Sequence, residues 1–568
     1  MHYLSEEHIL LFLMQLCIML AMAKIVGGLF IHWGLPALAG EILTGILLGP
    51  TVFGRVFPGV YGSLFPQELI QQNMLETVSW IGVLFLLLAT GFEVSLSSAW
   101  KQGKAAFMVG VIGVAIPFAI GVSVFWWLPD HYQGESTDRI TFTLFLSTAA
   151  SISAIAVIAR ILHDLEILKS DVGLATLSGF VVNDLMGWLI FAFVLGFAAQ
   201  HQSTAPGIIH TLFEVILFGT ICLTLGSRIV GWITRHLKQL DLPHPATVLT
   251  FISCLGMLCG AITQWIGIHA ILGFFLAGVM AGNAQEISER EREIISQMVH
   301  SVFVPVFFVS IGLKVDFLRN FDFLLAGLFT AVAVGGKLLG AWTGAIAAKM
   351  SREDSLFVGI AFTPGGEMEV VLGLLALELG IITETVFVAV VFAALSSSVT
   401  VGPLCAWSLK RRRLVDIGEF LLKDGVVTDL KGKTRWDAIP ELCGSLAAAS
   451  KNLAEKDAAE AVLKREEIMG TGLEKGLAVP HGRLDGIDKP VIAFGRSLSG
   501  IDWDSRDGHA SHFVFLVLSP LKEEGVQVQI LAAIARFMNQ PNIQSRLMSV
   551  ESADETYRIL RKGLKSGT

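Results

Sequence analysis

Between residues 8 and 409 the chain is a succession of apolar runs, interrupted only by short polar stretches. A helix needs ~20 apolar residues to cross a hydrocarbon core, and these runs have that length. The chain is 53% hydrophobic and 16% charged, with a mean hydropathy of +0.66, too apolar for a soluble protein of 568 residues. The excess stops at about Leu409, after which the composition is ordinary. Three parts are expected: a transmembrane domain (1–409), a basic linker (410–416) and a soluble domain (417–568). The formal charge of −8 includes no basic region that suits nucleic acid. The six cysteines have no metal-ligand spacing, and no resident metal or cofactor is expected.

The runs predict about 13 spans: 8–32, 35–55, 76–97, 104–128, 139–163, 170–200, 206–235, 246–265, 267–283, 296–313, 322–349, 354–378 and 384–409. Loops after odd-numbered spans hold Lys101, Lys104, Arg160, Lys169, Arg235, Lys238, Arg290, Arg292, Lys349 and Arg352. Loops after even-numbered spans hold only Arg55, Arg139, Lys314 and Arg319. The positive-inside rule then puts the N-terminus outside and the soluble domain in the cytoplasm. Met1–His8 has no basic region of a cleavable signal, so the first run is expected to stay as a helix.

Polar residues inside the spans are where function is sought. Asp184 is the only formal charge between Leu174 and Leu195, beside Asn183. A carboxylate at mid-membrane costs roughly 2.5–3.5 kcal/mol on insertion scales, and chains that accept it use it for ions or protons. The bland alternative is an acid that glues neighbouring helices. Lys337 lies in the middle of span eleven, too central to snorkel easily. Glu367 follows Pro364-Gly365-Gly366, a break inside span twelve. Broken helices free backbone groups and mark the sites of many transporters; a simple proline kink is the competing reading. Ser147, Thr148, Ser151 and Ser153 form a hydroxyl cluster in span five, which close helix packing also explains.

In order along the chain stand Leu35-Pro-Ala-Leu-Ala-Gly-Glu-Ile-Leu-Thr-Gly-Ile-Leu-Leu-Gly-Pro50, Gly91-Phe-Glu93, Gly267-Ile-His-Ala-Ile-Leu-Gly-Phe-Phe-Leu-Ala-Gly278, Pro305-Val-Phe-Phe-Val-Ser-Ile-Gly312, Lys337 and Pro364-Gly-Gly-Glu367. With these motifs the chain resembles the second family of the monovalent cation:proton antiporter superfamily, the bacterial Na⁺ or K⁺/H⁺ exchangers. The resemblance implies inverted repeats, a homodimeric scaffold, and a moving core of six helices in which interrupted helices five and twelve cross. It implies that Asp184 takes a cation or a proton in turn, that Asn183, Thr148, Ser151 and Ser153 help bind the ion, and that Lys337 and Glu367 are core charges. Many electrogenic members carry Asp-Asp where Asn183-Asp184 stands, and the electroneutral branch pairs Asn-Asp with Arg rather than Lys. Arg often occupies the place of Gly365.

From Ile417 to about Leu560, Arg465-Glu-Glu-Ile-Met-Gly-Thr-Gly-Leu-Glu-Lys-Gly-Leu-Ala-Val-Pro-His-Gly-Arg483 resembles the enzyme IIA domain of the fructose/mannitol-type sugar phosphotransferase system. The resemblance implies an α/β fold with a small mixed sheet, and the apolar run Phe513–Leu518 itself reads as a buried strand. It implies that His481 is the phosphorylatable histidine and Arg465 its phosphate partner. Gln527 stands where the family has a second histidine, and Gln cannot relay a proton. The domain is therefore expected to sense a ligand, or to accept phosphate from a phosphocarrier, with an inert pocket as the third reading.

The chain is expected to be a transporter and no enzyme: an exchanger of Na⁺, ahead of K⁺, for protons in the bacterial inner membrane, regulated by its C-terminal domain. Its expected partners are membrane lipid, a second copy of itself, and a small ligand or phosphocarrier. A cation channel or efflux system gated by that domain, and a phosphotransferase permease, are the alternatives; no carbonyl filter of the kind a channel needs is legible.

Overall fold

The computed structural model describes residues 5–94, 103–135, 137–165, 167–168, 170–199, 213–214, 217–240, 245–267, 269–411, 417–450, 453–468, 470–487, 489–505, 507–520 and 524–565. The chain divides into two compact units, Met1–Arg411 and Arg412–Thr568. Most of the expected linker, residues 412–416, lies outside the described residues, as does the start of the seventh expected span.

The first unit is helical: α1 (Glu6–His32), α2 (Ala37–Leu48), α3 (Leu69–Glu93), α4 (Lys104–Phe125), α5 (Arg139–Ser151), α6 (Ile155–Asp164), α7 (Asp171–Ala199), α8 (Leu217–Gln239), α9 (Ala246–Ile266), α10 (Ala270–Gly282), α11 (Glu289–Lys314), α12 (Phe323–Ala347), α13 (Arg352–Ala361), α14 (Gly366–Glu378) and α15 (Glu384–Arg411). Among the described residues 11 helices are long and apolar enough to span a membrane, or 12 if the bent pair α13–α14 is one span. The expectation of 13 exceeds this count. Its ninth span is α10, only 13 residues long, because Gly267 at φ +93 ends α9 and the next helix begins at Ala270.

Close packing sorts the helices into two bundles. One holds α4–α7 and α12–α15; the other holds α1–α3 and α8–α11. Within the second, glycines set the separation of α2 and α11. A Cβ built on Gly45 or Gly312 collides with the backbone of the opposite helix.

The second unit is α/β, with β1 (Leu421–Val427), α16 (Arg435–Ala449), α17 (Glu455–Ile468), β2 (Leu477–Ala478), β3 (His481–Leu484), β4 (Val491–Ile501), β5 (Ser511–Pro520), α18 (Glu524–Met538), α19 (Ile543–Ser549) and α20 (Ala553–Lys565). The sheet is mixed. Its order is β1-β4-β5-β2, with β3 also paired to β5. Only β4 and β5 run antiparallel among these pairs. Along β5, Phe513, Phe515 and Val517 join one core with Ile530 and Leu560, while Val514, Leu516 and Leu518 join another with Ile439 and Leu442. Both faces are covered by helices, which is why this strand reads as an unbroken apolar run.

Gly312→Val should force α2 and α11 apart and cost ~1–3 kcal/mol as overpacking does. The readout is the melting temperature of the detergent-solubilised protein; an unchanged melt would mean the two helices have slack.

Candidate functional site

The site begins with two breaks that meet. α5 ends at Ser151 and α6 starts at Ile155, with Ile152 and Ala154 extended between them. α13 ends at Ala361 and α14 starts at Gly366, bent by 43°. Pro364 lacks an N–H and disfavours helix at Thr363, and Gly366 stands at φ +55. A Cβ at Gly366 would strike that of Ala154, so only glycine lets the breaks touch.

The freed backbone groups are satisfied across this crossing. Ala154 N–H donates to the Pro364 carbonyl at 3.0 Å, and Ser153 Oγ donates to the Phe362 carbonyl at 2.7 Å. Ser153 N–H donates to Asn183 Oδ1 at 3.3 Å, and Gly365 N–H to Ser397 Oγ at 3.3 Å. Lys337 Nζ lies 3.4 Å from the Ile152 carbonyl and 3.1 Å from Glu369 Oε2. Each placement follows helix electrostatics: the ammonium sits at the C-terminal end of α5, and Glu367 and Glu369 lie in the first turn of α14.

The acid on Lys337 is thus Glu369, not Glu367. Both members of the pair are completely buried. Gly365 leaves room for it, since a Cβ there would overlap the Glu369 carboxylate. Glu367 is half-buried and lines a cavity of about 270 Å³ with Trp33, Pro36, Arg160, Asp164 and Ser398. This cavity opens between the bundles, lined by α6 and α15 of one and by the turn joining α1 to α2 of the other.

Asp184 is 1% exposed, and its Oδ1 has no hydrogen-bond partner among the described residues. The same holds for Asn183 Nδ2. One turn on, Trp188 stacks on Phe275 of α10 at 5.0 Å. Residues i and i+4 share a helix face, so Asp184 faces the seam between the bundles. Glu93 at the end of α3 is within electrostatic range of both Asp184 and Glu367, and Glu41 of α2 is within range of Glu367. Carboxylates of both bundles thus lie within electrostatic range of one another, Glu367 at the cavity and Asp184 through Glu93.

The hydroxyl cluster is tied to its own helix. Thr148 Oγ1 donates to Leu144 O at 2.7 Å and Ser151 Oγ to Thr148 O at 2.9 Å. Their lone pairs stay available to an ion; only Ser153 reaches across the crossing. At the opposite end of the seam, Lys314 at the end of α11 lies 2.8 Å from Glu378 of α14 and 3.3 Å from Glu76 of α3.

In the second unit, His481 is half-buried at the start of β3, and its Nδ1–H donates to the Val479 carbonyl at 2.9 Å. A carbonyl only accepts, so Nδ1 holds the proton and Nε2 keeps its lone pair. Burial, above all, pushes the imidazole below the usual histidine range. The charges of Arg465 and Arg483 act the same way, against the Val479 bond and Glu466. Gln527, at the start of α18, is buried, and its Oε1 accepts from Arg483 Nε at 3.1 Å and Ser519 Oγ at 3.2 Å. Arg483 shares the strand face of His481, two residues away, which brings Gln527 to the histidine's side of the sheet.

Sequence reasoning missed Glu369, Glu41, Glu93 and the Lys314 contacts as elements of the site. Glu369 left a signal as a second acid beside the break, and Glu41 and Glu93 stand within motifs quoted above, whereas the Lys314 contacts left none.

A family profile described as sodium/hydrogen exchanger, transmembrane, matches residues 17–409. A second, described as phosphoenolpyruvate-dependent sugar phosphotransferase system, EIIA 2, matches residues 419–563. The Na(+)/H(+) antiporter NhaS4 of Synechocystis sp. is 29% identical over 405 residues, covering 71% of this chain and 98% of that protein. The K(+)/H(+) antiporter 1 of Saccharomyces cerevisiae is 26% identical over 417 residues, covering 71% of this chain and 47% of that protein. The sodium proton antiporter MjNhaP1 of Methanocaldococcus jannaschii shares the fold, with a TM-score of 0.52 at 17% identity over 71% of this chain and 99% of that one. The matched stretch takes in both bundles and the crossed breaks: the chain belongs to the sodium/hydrogen exchanger family.

Proposed function

We propose that the chain exchanges a monovalent cation, Na⁺ ahead of K⁺, for protons by alternating access. We place it in a bacterial inner membrane as a homodimer, with its N-terminus outside and its C-terminal domain a cytoplasmic regulator. The observation that carries the reading is the buried Asp184 carboxylate, with an unpartnered oxygen among the described residues, while the core Lys337 is already matched by Glu369. A bare cation supplies the missing charge; a proton removes the need for one. Either occupant lets the carboxylate cross a dry seam, and an empty ionised one does not. Asn183 is neutral and Lys337 is paired, so one cation exchanges for one proton.

The open cavity at one end of the seam and the Lys314 contacts at the other support one state of such a cycle. Lys314 and Glu378 come from different bundles, so their contact must break for the other end to open.

In proteoliposomes loaded with a pH-sensitive dye, Na⁺ or K⁺ should restore the quenched signal, and Asp184→Asn should abolish the response while the protein stays folded. Near-normal exchange in the variant sinks the assignment. A membrane potential imposed with valinomycin should leave rate and end-point unchanged; a clear shift excludes one-for-one exchange.

Glu369→Gln leaves a fully buried ammonium without its counter-charge, and breaking such a pair costs ~3–5 kcal/mol. The double change Lys337→Met with Glu369→Leu should recover much of that in a thermal melt. If the single variant melts like the parent, the pair is not what holds the crossing.

The regulatory reading rests on His481, whose free Nε2 suits either a phosphate or a ligand donor. Gln527 lacks a titratable proton for transfer chemistry, which favours ligand sensing. A chain ending near Arg413 should still exchange ions, with altered rate or pH dependence, and His481→Ala should reproduce part of the change. Unaltered profiles in both, with normal membrane insertion, would remove regulation from the domain's roles.

A further inference from the structure

The soluble unit has one concentration of positive charge that neither the exchanger nor the His481 pocket uses. Residues 558–568 contain Arg558, Arg561, Lys562 and Lys565 and no carboxylate, although residues 417–568 as a whole hold 20 Lys/Arg against 21 Asp/Glu. On α20 the two kinds of side chain separate cleanly. Ile559, Leu560 and Leu564 are buried in the core, while Arg558, Arg561 and Lys562 are exposed. With Lys423 of β1 and Tyr557 they line a concavity of about 460 Å³. Its one carboxylate, Asp554, is 2.8 Å from Lys423 and so is already matched. The Arg561 guanidinium lies over the Tyr557 ring, 5.9 Å from its centroid, which holds it at the rim.

The position of this surface in the chain says what it meets. α20 packs on β1 and on the short turn Ile417–Glu419, the first described residues of the unit. Five residues, 412–416, separate that turn from Arg411, the last residue of a membrane-spanning helix. Five residues reach at most ~18 Å when fully extended. The concavity is therefore built on elements packed against the start of the unit, and the tether before it begins with Lys410, Arg411, Arg412 and Arg413. A basic concavity on a unit tied by a short basic tether to a membrane-spanning helix calls for an anionic partner.

We propose that the basic concavity of α20 and β1 binds the phosphate headgroups of anionic lipids in the membrane that anchors the chain. The exposed cations suit phosphate headgroups chiefly by charge, to which the guanidinium forks of Arg558 and Arg561 add hydrogen bonds. Each Lys or Arg near an anionic leaflet adds about five-fold to binding, and the attraction fades with salt over a Debye length.

The test uses the full-length protein in nanodiscs and follows amide hydrogen exchange across residues 553–564. In discs with one third phosphatidylglycerol the exchange should slow several-fold relative to pure phosphatidylcholine, and half-molar salt should reverse the effect. The triple variant Arg558→Gln, Arg561→Gln, Lys562→Gln should lose the lipid dependence. The variant Arg558→Lys, Arg561→Lys should keep most of it, and unchanged exchange in β5 reports that the fold survives. Equal exchange in both discs overturns the proposal. So does protection in phosphatidylcholine discs on adding inorganic phosphate or a phosphorylated protein without any lipid effect, since the surface would then serve a soluble anion.

Discussion

Backbone groups freed inside a bilayer cost several kcal/mol each if nothing accepts them, and this chain frees them in two helices at once. The breaks after Ser151 and Ala361 solve the problem by meeting. Ala154 donates to Pro364 and Ser153 to Phe362. Neither interruption is stable without the other, so α5–α6 and α13–α14 must fold as a crossed unit. α7 and α12 then pack round the crossing, and with them come Asn183, Asp184 and Lys337. The rest of the membrane unit follows from the need to enclose this polar centre while leaving one face of α7 against a second bundle.

That arrangement divides labour between charges that look equivalent on paper. Lys337 and Glu369 are fixed: fully buried, paired, and bonded to a helix end. Asp184, Glu93 and Glu367 lie where the bundles face each other or where solvent enters, and no Lys or Arg side chain pairs with them in an ion bridge among the described residues.

How much of this the sequence reveals depends on whether periodicity survives. Most spans are legible from their apolar length, and Asp184 stands out because nothing else in its span is charged. The ninth span is legible as apolar but not as short, because the left-handed Gly267 takes residues from it. Register fails at the second break for a similar reason. Gly366 at φ +55 resets the helical phase, so counting from Lys337 or from α13 does not say whether Glu367 or Glu369 faces inward. The outer contacts of Lys314 join helices far apart in sequence, and no local pattern announces them. In the soluble domain the buried strand and His481 are legible from composition and motif, whereas the tautomer of His481 needs the Val479 carbonyl to be placed.

A lysine buried in the same bundle as Asp184 invites the view that it answers that carboxylate directly. Here geometry assigns it elsewhere. A buried ion pair is seldom a net gain over apolar side chains of the same size, because two ions must lose their water. Its retention at this crossing makes sense as a device for position: Lys337 holds the Ile152 carbonyl on one side and Glu369 on the other. The lysine therefore closes the α5 break to α14, and its charge is spent before Asp184 is considered. A carboxylate left without a fixed counter-charge in a dry seam has two ways to lose its charge, an alkali cation or a proton. In the exchange proposed above, competition for this one carboxylate is what couples the two flows.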